Sequence, residues 1–290
     1  MRIRLDRSTP FNLDVTLCCG QTFRWDKLAG WWYGVVGERV FKVRQTEGFV
    51  EFENAEAHLV RNYFGLNDNL NRILSEISKD GHIKNAVDMF SGLRILRQDP
   101  WECLISYICA TYKNISAIKH MLSNLSRRFG EKVCLDGNTF YTFPKPERLA
   151  VASEAELVEC GLGYRTKYVH ETADMVNDGL YDFERLTRTG YADAKAQLLN
   201  APGVGPKVAD CILLFSLGKP EAFPVDVWMR RAILRHYNDH FTRKFIAKIR
   251  EKEALNRSDY EKLGSFGRSY FGQFAGYAQE YLYHYERTIR

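Results

Sequence analysis

No apolar run in the sequence approaches the ~18 residues of a membrane span, and Met1-Arg-Ile-Arg-Leu-Asp6 lacks the apolar core of a signal segment. A membrane partner is not expected. A cytoplasmic location is, with a nuclear one also open, and the lack of extensions suits a prokaryotic source. Cysteine is sparse and odd in number: seven, at 18, 19, 103, 109, 134, 160 and 211. No pair has the two- to four-residue separation of a zinc or iron–sulfur ligand set. Cys18 and Cys19 are too close for an ordinary disulfide, so reduced thiols in a reducing compartment are the better reading, and neither metal nor cofactor is expected. Repeats and low-complexity tracts are absent as well. One-sided charge is missing overall: the net charge is +5, and residues 1–80 carry 11 basic and 11 acidic side chains. The excess is local. Residues 227–252 carry eight basic and two acidic side chains, which reads either as a solvated helix face or as an electrostatic footprint for nucleic acid.

What is present suits a folded α+β protein. The chain has 290 residues, 45% hydrophobic and 27% charged, enough for two domains or one large one. The first 55 or so residues read as strands. Val40-Phe-Lys-Val43 and Phe49-Val-Glu-Phe52 alternate, Gly37-Glu38 fits a tight turn, and Trp31, Trp32 and Tyr33 suit a half-buried sheet. From about residue 56 the pattern is helical. Asp99-Pro-Trp-Glu102 starts a helix, whose stripe runs from Leu104, Ile105 and Ile108 through Ile115, Ile118, Leu122 and Leu125. Gly130 and the Cys134–Asn138 stretch mark a break, Ser153-Glu-Ala-Glu156 is a second capping box, and Gly161-Leu-Gly163 ends a short helix. The expected architecture is an N-terminal antiparallel sheet domain with a flanking helix (1–88), then a mostly α-helical domain (89–290).

Residues 197–217 carry the most information. Helix formers lead to Pro202-Gly-Val-Gly-Pro206, and a second apolar helix follows. Gly203 and Gly205 permit positive φ and close approach of another backbone. With Val204 between them, their amides and the next helix N-terminus make a site for a DNA phosphate. Lys207 falls in the first turn of that helix. The positive end of the helix dipole disfavours an ammonium there and favours the neutral amine that attacks carbon. Phosphate contact is the equal alternative. Cys211, one turn on, shares its face and is either core or site. Asp226, in Phe223-Pro-Val-Asp-Val227, sits where a helix would be capped. It is either only a cap, or a carboxylate returned beside Lys207 to stabilise positive charge developing on a sugar.

Leu199-Asn-Ala-Pro-Gly-Val-Gly-Pro-Lys207-Val-Ala-Asp-Cys211 followed by Pro224-Val-Asp226 resembles the helix–hairpin–helix glycosylase superfamily. Cys19-Gly-Gln-Thr-Phe-Arg-Trp25, Asp99-Pro-Trp-Glu-Cys103, Gly161-Leu-Gly-Tyr-Arg165 and Ala275-Gly-Tyr-Ala-Gln279 narrow the resemblance to the 8-oxoguanine DNA glycosylase/AP lyase family. It covers nearly the full chain. The resemblance implies excision of 8-oxoguanine from double-stranded DNA by a monomer. Lys207 would form a Schiff base at the sugar C1′ before β-elimination, and Asp226 would stabilise the oxocarbenium-like transition state. A flipped-out base is implied. Gly20 would accept the N7 hydrogen peculiar to the oxidised base, Gln279 would read the Watson–Crick edge, Cys211 and Tyr283 would sandwich the ring, and Phe23 would help line the pocket.

Departures from the family pattern cluster where the opposite base is read. Tyr112-Lys113-Asn114 stands for three asparagines, Ala117 for an arginine, and Trp228 for a DNA-contacting histidine, while Tyr164 and Arg165 are retained. Weaker preference for cytosine opposite the lesion is therefore expected, with Tyr112 stacking in the gap. Endonuclease III relatives carry a four-cysteine loop after the catalytic Asp, and no cysteine follows Cys211. The alternatives are another glycosylase specificity of the same superfamily, or a non-catalytic module that uses the hairpin only for phosphate.

Overall fold

The alternating N-terminal segment folds into a five-stranded antiparallel sheet in the computed structural model, which describes residues 1–6 and 8–289. Its strands are β1 (Arg2–Arg4), β2 (Trp25–Leu28), β3 (Trp31–Val36), β4 (Arg39–Thr46) and β5 (Phe49–Glu53), in the order β1-β5-β4-β3-β2. Gly37, at φ +60°, turns β3 into β4 with Val35 opposite Val40. One face buries Trp25, Trp32, Phe41, Val43 and Phe52. The Trp25 indole lies flat over Gly34, where a Cβ would stand 2.4 Å from the ring, so only glycine permits that packing.

Two features differ from the sequence expectation here. The first 55 residues are not all strand: Asn12 caps a helix, α1 (Leu13–Cys18), by accepting from the Val15 amide. The stretch read as a break at 134–138 is a hairpin, β6 (Lys132–Leu135) and β7 (Asn138–Tyr141). That hairpin covers the second face of the sheet, stacking Phe140 on Tyr33 with centroids 5.5 Å apart. This is why Val40, Phe41, Lys42 and Val43 are all buried instead of alternating. Lys42 is held there between Asp136 (2.7 Å) and Glu53 (2.9 Å).

The remaining elements are helices: α2 (Ala57–Tyr63), α3 (Leu70–Ile77), α4 (Gly81–Met89), α5 (Pro100–Cys109), α6 (Ile115–Phe129), α7 (Pro146–Ala150), α8 (Glu154–Glu159), α9 (Arg165–Asn177), α10 (Phe183–Arg188), α11 (Tyr191–Leu198), α12 (Pro206–Phe215), α13 (Val227–His236), α14 (Arg243–Glu251), α15 (Arg257–Phe271) and α16 (Ala275–Thr288). Asp99 caps α5 through the Glu102 amide, and Ser153 and Glu156 form the reciprocal capping box of α8. The stripe read as continuous from Leu104 to Leu125 is broken at 110–114, where Tyr112 takes φ +55°. The apolar side chains fall into two clusters. Residues of α3 and α4, grouped with the sheet in the sequence reading, pack instead with the helical cluster, against α16. None of the helices, among the described residues, is long and apolar enough to cross a membrane.

Candidate active site

Lys207 and Asp226 owe their positions to two helix N-termini. Gly205 and Pro206 begin α12, placing Lys207 in its first turn. Asp226 caps α13 with its carboxylate on the Met229 amide at 2.8 Å. Burial pushes the Asp226 carboxyl above its ordinary range, opposed by the Met229 amide and the Lys207 ammonium. The lysine thus lies within electrostatic reach of the aspartate, as the sequence expects if both belong to one site. Its Nζ stands over the Tyr107 ring of α5, 4.8 Å from the centroid. Cys211 lies one turn further along α12, buried, and burial pushes its thiol up to about 12 against the pull of Lys207.

A loop from the sheet domain closes the other side. Gln21 is fully buried, and its side chain donates to the carbonyls of Thr16 (3.0 Å) and Arg94 (2.8 Å) and accepts from the Leu96 amide (2.8 Å). Its own carbonyl accepts from Gln98 Nε2 (2.7 Å) and the Tyr107 hydroxyl (3.2 Å). So many occupied donors and acceptors pin the loop, and with it Gly20 at φ +111°. A Cβ at Gly20 would lie 3.3 Å from the Tyr283 ring. Phe23 packs edge-on against Tyr107 with centroids 5.8 Å apart. From α16 come Gln279 and Tyr283. Gln279 is 4% exposed and its Oε1 accepts no hydrogen bond, which leaves a buried acceptor for a ligand to satisfy. Arg287 donates to the Tyr283 hydroxyl (3.2 Å) and to the Cys18 carbonyl (2.8 Å), tying the end of α16 to the loop.

Gly20, Phe23, Cys211 and Tyr283 are thus linked to Lys207 and Asp226 by packing or by charge, and Gln279 lies one turn before Tyr283 on α16. Three contributors were not assigned a role from sequence: Gln21, Tyr107 and Glu280. Tyr107 stands among Leu104, Ile105 and Ile108 and reads as core. Glu280 is 2% exposed, hydrogen-bonded to the Cys19 thiol, and pushed up to about 7, chiefly by burial.

A second surface surrounds the hairpin. At Gly203, φ is +77° and a Cβ would meet the Tyr168 ring at 2.9 Å, so both the turn and the packing require glycine. Gly205 differs from the expectation: its φ is −87°, and a Cβ there would meet nothing within 4 Å. Its lack of a side chain keeps the helix N-terminus open without serving the turn. Val204 buries its side chain and bonds its amide to the Ala201 carbonyl, leaving the amides of Gly205 and Lys207 at the unsatisfied end of α12. Tyr164, 57% exposed, sits edge-on to Tyr168. Tyr112 is 84% exposed, while Asn114 caps α6 through the Ala117 amide. Arg165 is not on this surface. It is 2% exposed, lies against the Tyr164 ring, and donates to the Thr111 carbonyl. Trp228 packs under the Arg231 guanidinium. The basic run is partly neutralised, with Lys248 and Lys252 on Asp259 and Arg235 on Glu286.

Comparison with known proteins places this architecture in context. Residues 2–104 match the 8-oxoguanine DNA glycosylase N-terminal domain, and residues 105–254 match the HhH-GPD superfamily of base excision DNA repair proteins. A probable N-glycosylase/DNA lyase of Methanothermobacter thermautotrophicus is 35% identical over 72% of this chain and 68% of its own length. An N-glycosylase/DNA lyase of Arabidopsis thaliana is 33% identical over 95% of this chain and 77% of its own. The 8-oxoguanine glycosylase/lyase of Clostridium acetobutylicum superposes in its apo form with a TM-score of 0.85 at 34% identity, covering 95% of this chain and 93% of that one. The same enzyme bound to double-stranded DNA with cytosine opposite 8-oxoguanine gives 0.86 at 32%, covering 100% and 98%.

Proposed function

Because the chain belongs to the 8-oxoguanine DNA glycosylase family and is an N-glycosylase/DNA lyase, we propose that Lys207 is its nucleophile and Asp226 its electrostatic partner in excising 8-oxoguanine from duplex DNA. The Lys207 amine forms a bond to C1′ as the C1′–N9 bond breaks, and the departing electron pair leaves with the base, which takes up a proton. Ring opening gives an iminium at C1′. Loss of a C2′ proton then expels the 3′ phosphate. Asp226, ionised and desolvated, opposes the positive charge that develops on the sugar. The observation that carries this reading is the convergence of both groups, from two helix N-termini, with the Tyr107 ring beneath the Lys207 amine. We assign Gly20, Phe23, Cys211, Gln279 and Tyr283 to the flipped base. Gln279 offers a buried, unfilled acceptor to its edge, and the protonated Cys211 thiol a small apolar surface to its face. Gly203, Val204, Gly205 and Trp228 are assigned to the DNA backbone, the amide end of α12 supplying the phosphate site. Borohydride trapping on an 8-oxoguanine duplex tests the nucleophile. A covalent adduct is expected, and it is lost in Lys207→Gln. Base release with no adduct would overturn the assignment.

We further propose relaxed reading of the opposite base. Tyr112 presents an aromatic ring where the lesion leaves a gap, whereas Arg165 spends its guanidinium on the Thr111 carbonyl that supports the same turn. Asn114 spends its carboxamide oxygen on a helix cap. A stacking ring recognises every base alike. Excision rates measured opposite each of the four bases should be comparable. A steep cytosine preference would refute this.

A further inference from the structure

Away from this pocket, α4, α13 and α16 meet at His82, His236 and Glu286. One ligand atom from each lies within 4.8 Å of the others. His82 Nε2 and His236 Nε2 each stand 3.2 Å from the same atom, Glu286 Oε1. That spacing is long for charge-assisted hydrogen bonds, at about 2.7–2.9 Å, and no hydrogen bond of good geometry satisfies His82 Nε2 or Glu286 Oε1. Glu286 is 3% exposed, so its open oxygen is a buried acceptor aimed at two imidazoles. Bonds of about 2.0–2.1 Å at a tetrahedral centre set their ligand atoms about 3.3 Å apart, which is the spacing of both pairs.

The surroundings orient the donor atoms. The other carboxylate oxygen of Glu286 accepts from Arg235 at 3.0 Å, which orients Oε1 toward the histidines as outer-sphere partners do. The two rings are stacked, with centroids 3.6 Å apart and planes 19° from parallel. Nitrogen lone pairs lie in the ring plane, so coordination swings the solvent-facing His236 ring out of the stack.

We propose that His82, His236 and Glu286 bind a first-row transition-metal dication such as Zn2+, with water in the fourth position on the His236 side. Two imidazoles and a carboxylate are an ordinary donor set for such an ion. The ion would brace α16, which carries Gln279 and Tyr283, against α13, which Asp226 caps, and against α4. Cysteine spacing cannot reveal it, because the ligands come from three distant segments.

The test uses the chelator-treated full chain without a polyhistidine tag, titrated with Zn2+ by calorimetry and with Co2+ by visible absorption. Saturation is expected at one equivalent, with the intense Co2+ bands of a four-coordinate ion and a melting temperature that rises with Zn2+ concentration. His236→Asn and His82→Asn should each weaken binding by roughly tenfold or more, while borohydride trapping by His236→Asn in chelator stays unchanged. Absence of one-equivalent binding overturns the proposal, as does undiminished binding in the variants, which would assign the ion to other groups such as Cys18. Should His82→Asn fail to fold, His236→Asn decides alone, since that side chain is solvent-facing.

Discussion

Replacing Glu280 by Gln isolates the cost of one buried charge. The side chain is 2% exposed, its Oε1 accepts no hydrogen bond, and burial raises it from 4.5 to about 7 despite help from Cys19, Arg287 and Lys207. Below about pH 4.5 the folded and unfolded chains both hold the proton, and the group costs nothing. Between there and pH 7 the unfolded chain releases it while the folded chain keeps it, so stability falls as pH rises. Above pH 7 the folded state carries the whole penalty. At about 1.36 kcal/mol per pKa unit the loss is of order 3 kcal/mol. Glutamine has the same shape and no charge, so Glu280→Gln should be more stable than the parent at pH 8 by up to about that amount. In a chain of this size the gain is a rise of roughly 4–10 °C in melting temperature. Melting both proteins at pH 5 and pH 8 by circular dichroism reads the effect, which should nearly vanish at the lower pH. An equal difference at both pH values, or a less stable variant at pH 8, would refute the reasoning.

Asp226→Asn should separate a cap from a catalytic group, since asparagine caps helices as well. Stability is expected to hold within about 1 kcal/mol while adduct formation slows about 100-fold or more, and proportionate small losses in both would reduce Asp226 to a cap. Because burial holds its carboxyl above the ordinary carboxylate range, excision should fade as pH falls through a correspondingly raised value, and a rate unchanged down to pH 4 counts against an ionised partner. Gly203→Ala puts a Cβ 2.9 Å from the Tyr168 ring at φ +77°. A stability loss of about 1–3 kcal/mol in urea should come with weaker duplex binding by fluorescence anisotropy, and unaltered binding would detach the turn from DNA. Asp210 is fully buried and paired with Lys195 at 3.0 Å, with Tyr191 and Tyr260 also donating to it. Asp210→Ala leaves Lys195 with Glu261 at 2.8 Å but takes the acceptor from the Tyr191 and Tyr260 hydroxyls, and should cost about 2–4 kcal/mol.

Features set by neighbouring residues were legible in the sequence. Asp99, Ser153 and Asp226 cap helices through amides three residues on, and each announces itself by residue type and spacing. The α1 cap at Asn12 is equally local but was hidden in a stretch whose aromatics read as sheet. The β6–β7 hairpin also carried a signal in Asp136-Gly137, the turn chemistry of a tight hairpin. The turn at 110–114 carried none. It has no glycine or proline, and Tyr112 adopts positive φ there with the preceding carbonyl held by Arg165 from the start of α9.

The pocket shows the same division between local and distant causes. Lys207 on α12 could be read from its hairpin, but nothing near it specifies Tyr107 beneath its amine. That contact comes from α5 packing on α12, where Tyr107 stacks on Phe215 and its hydroxyl donates to the Gln21 carbonyl of the sheet-domain loop. Arg165 makes the point most sharply. Its motif predicts a guanidinium on DNA, yet the direction of a side chain is decided by which acceptors surround it, and the Thr111 carbonyl and the Tyr164 face capture this one. A residue kept from the family pattern therefore serves the turn that displays a residue lost from it. On the proposed reading of the opposite base, Thr111, Tyr112, Tyr164 and Arg165 act as one assembly, and substituting Arg165 should act first on the posture of Tyr112.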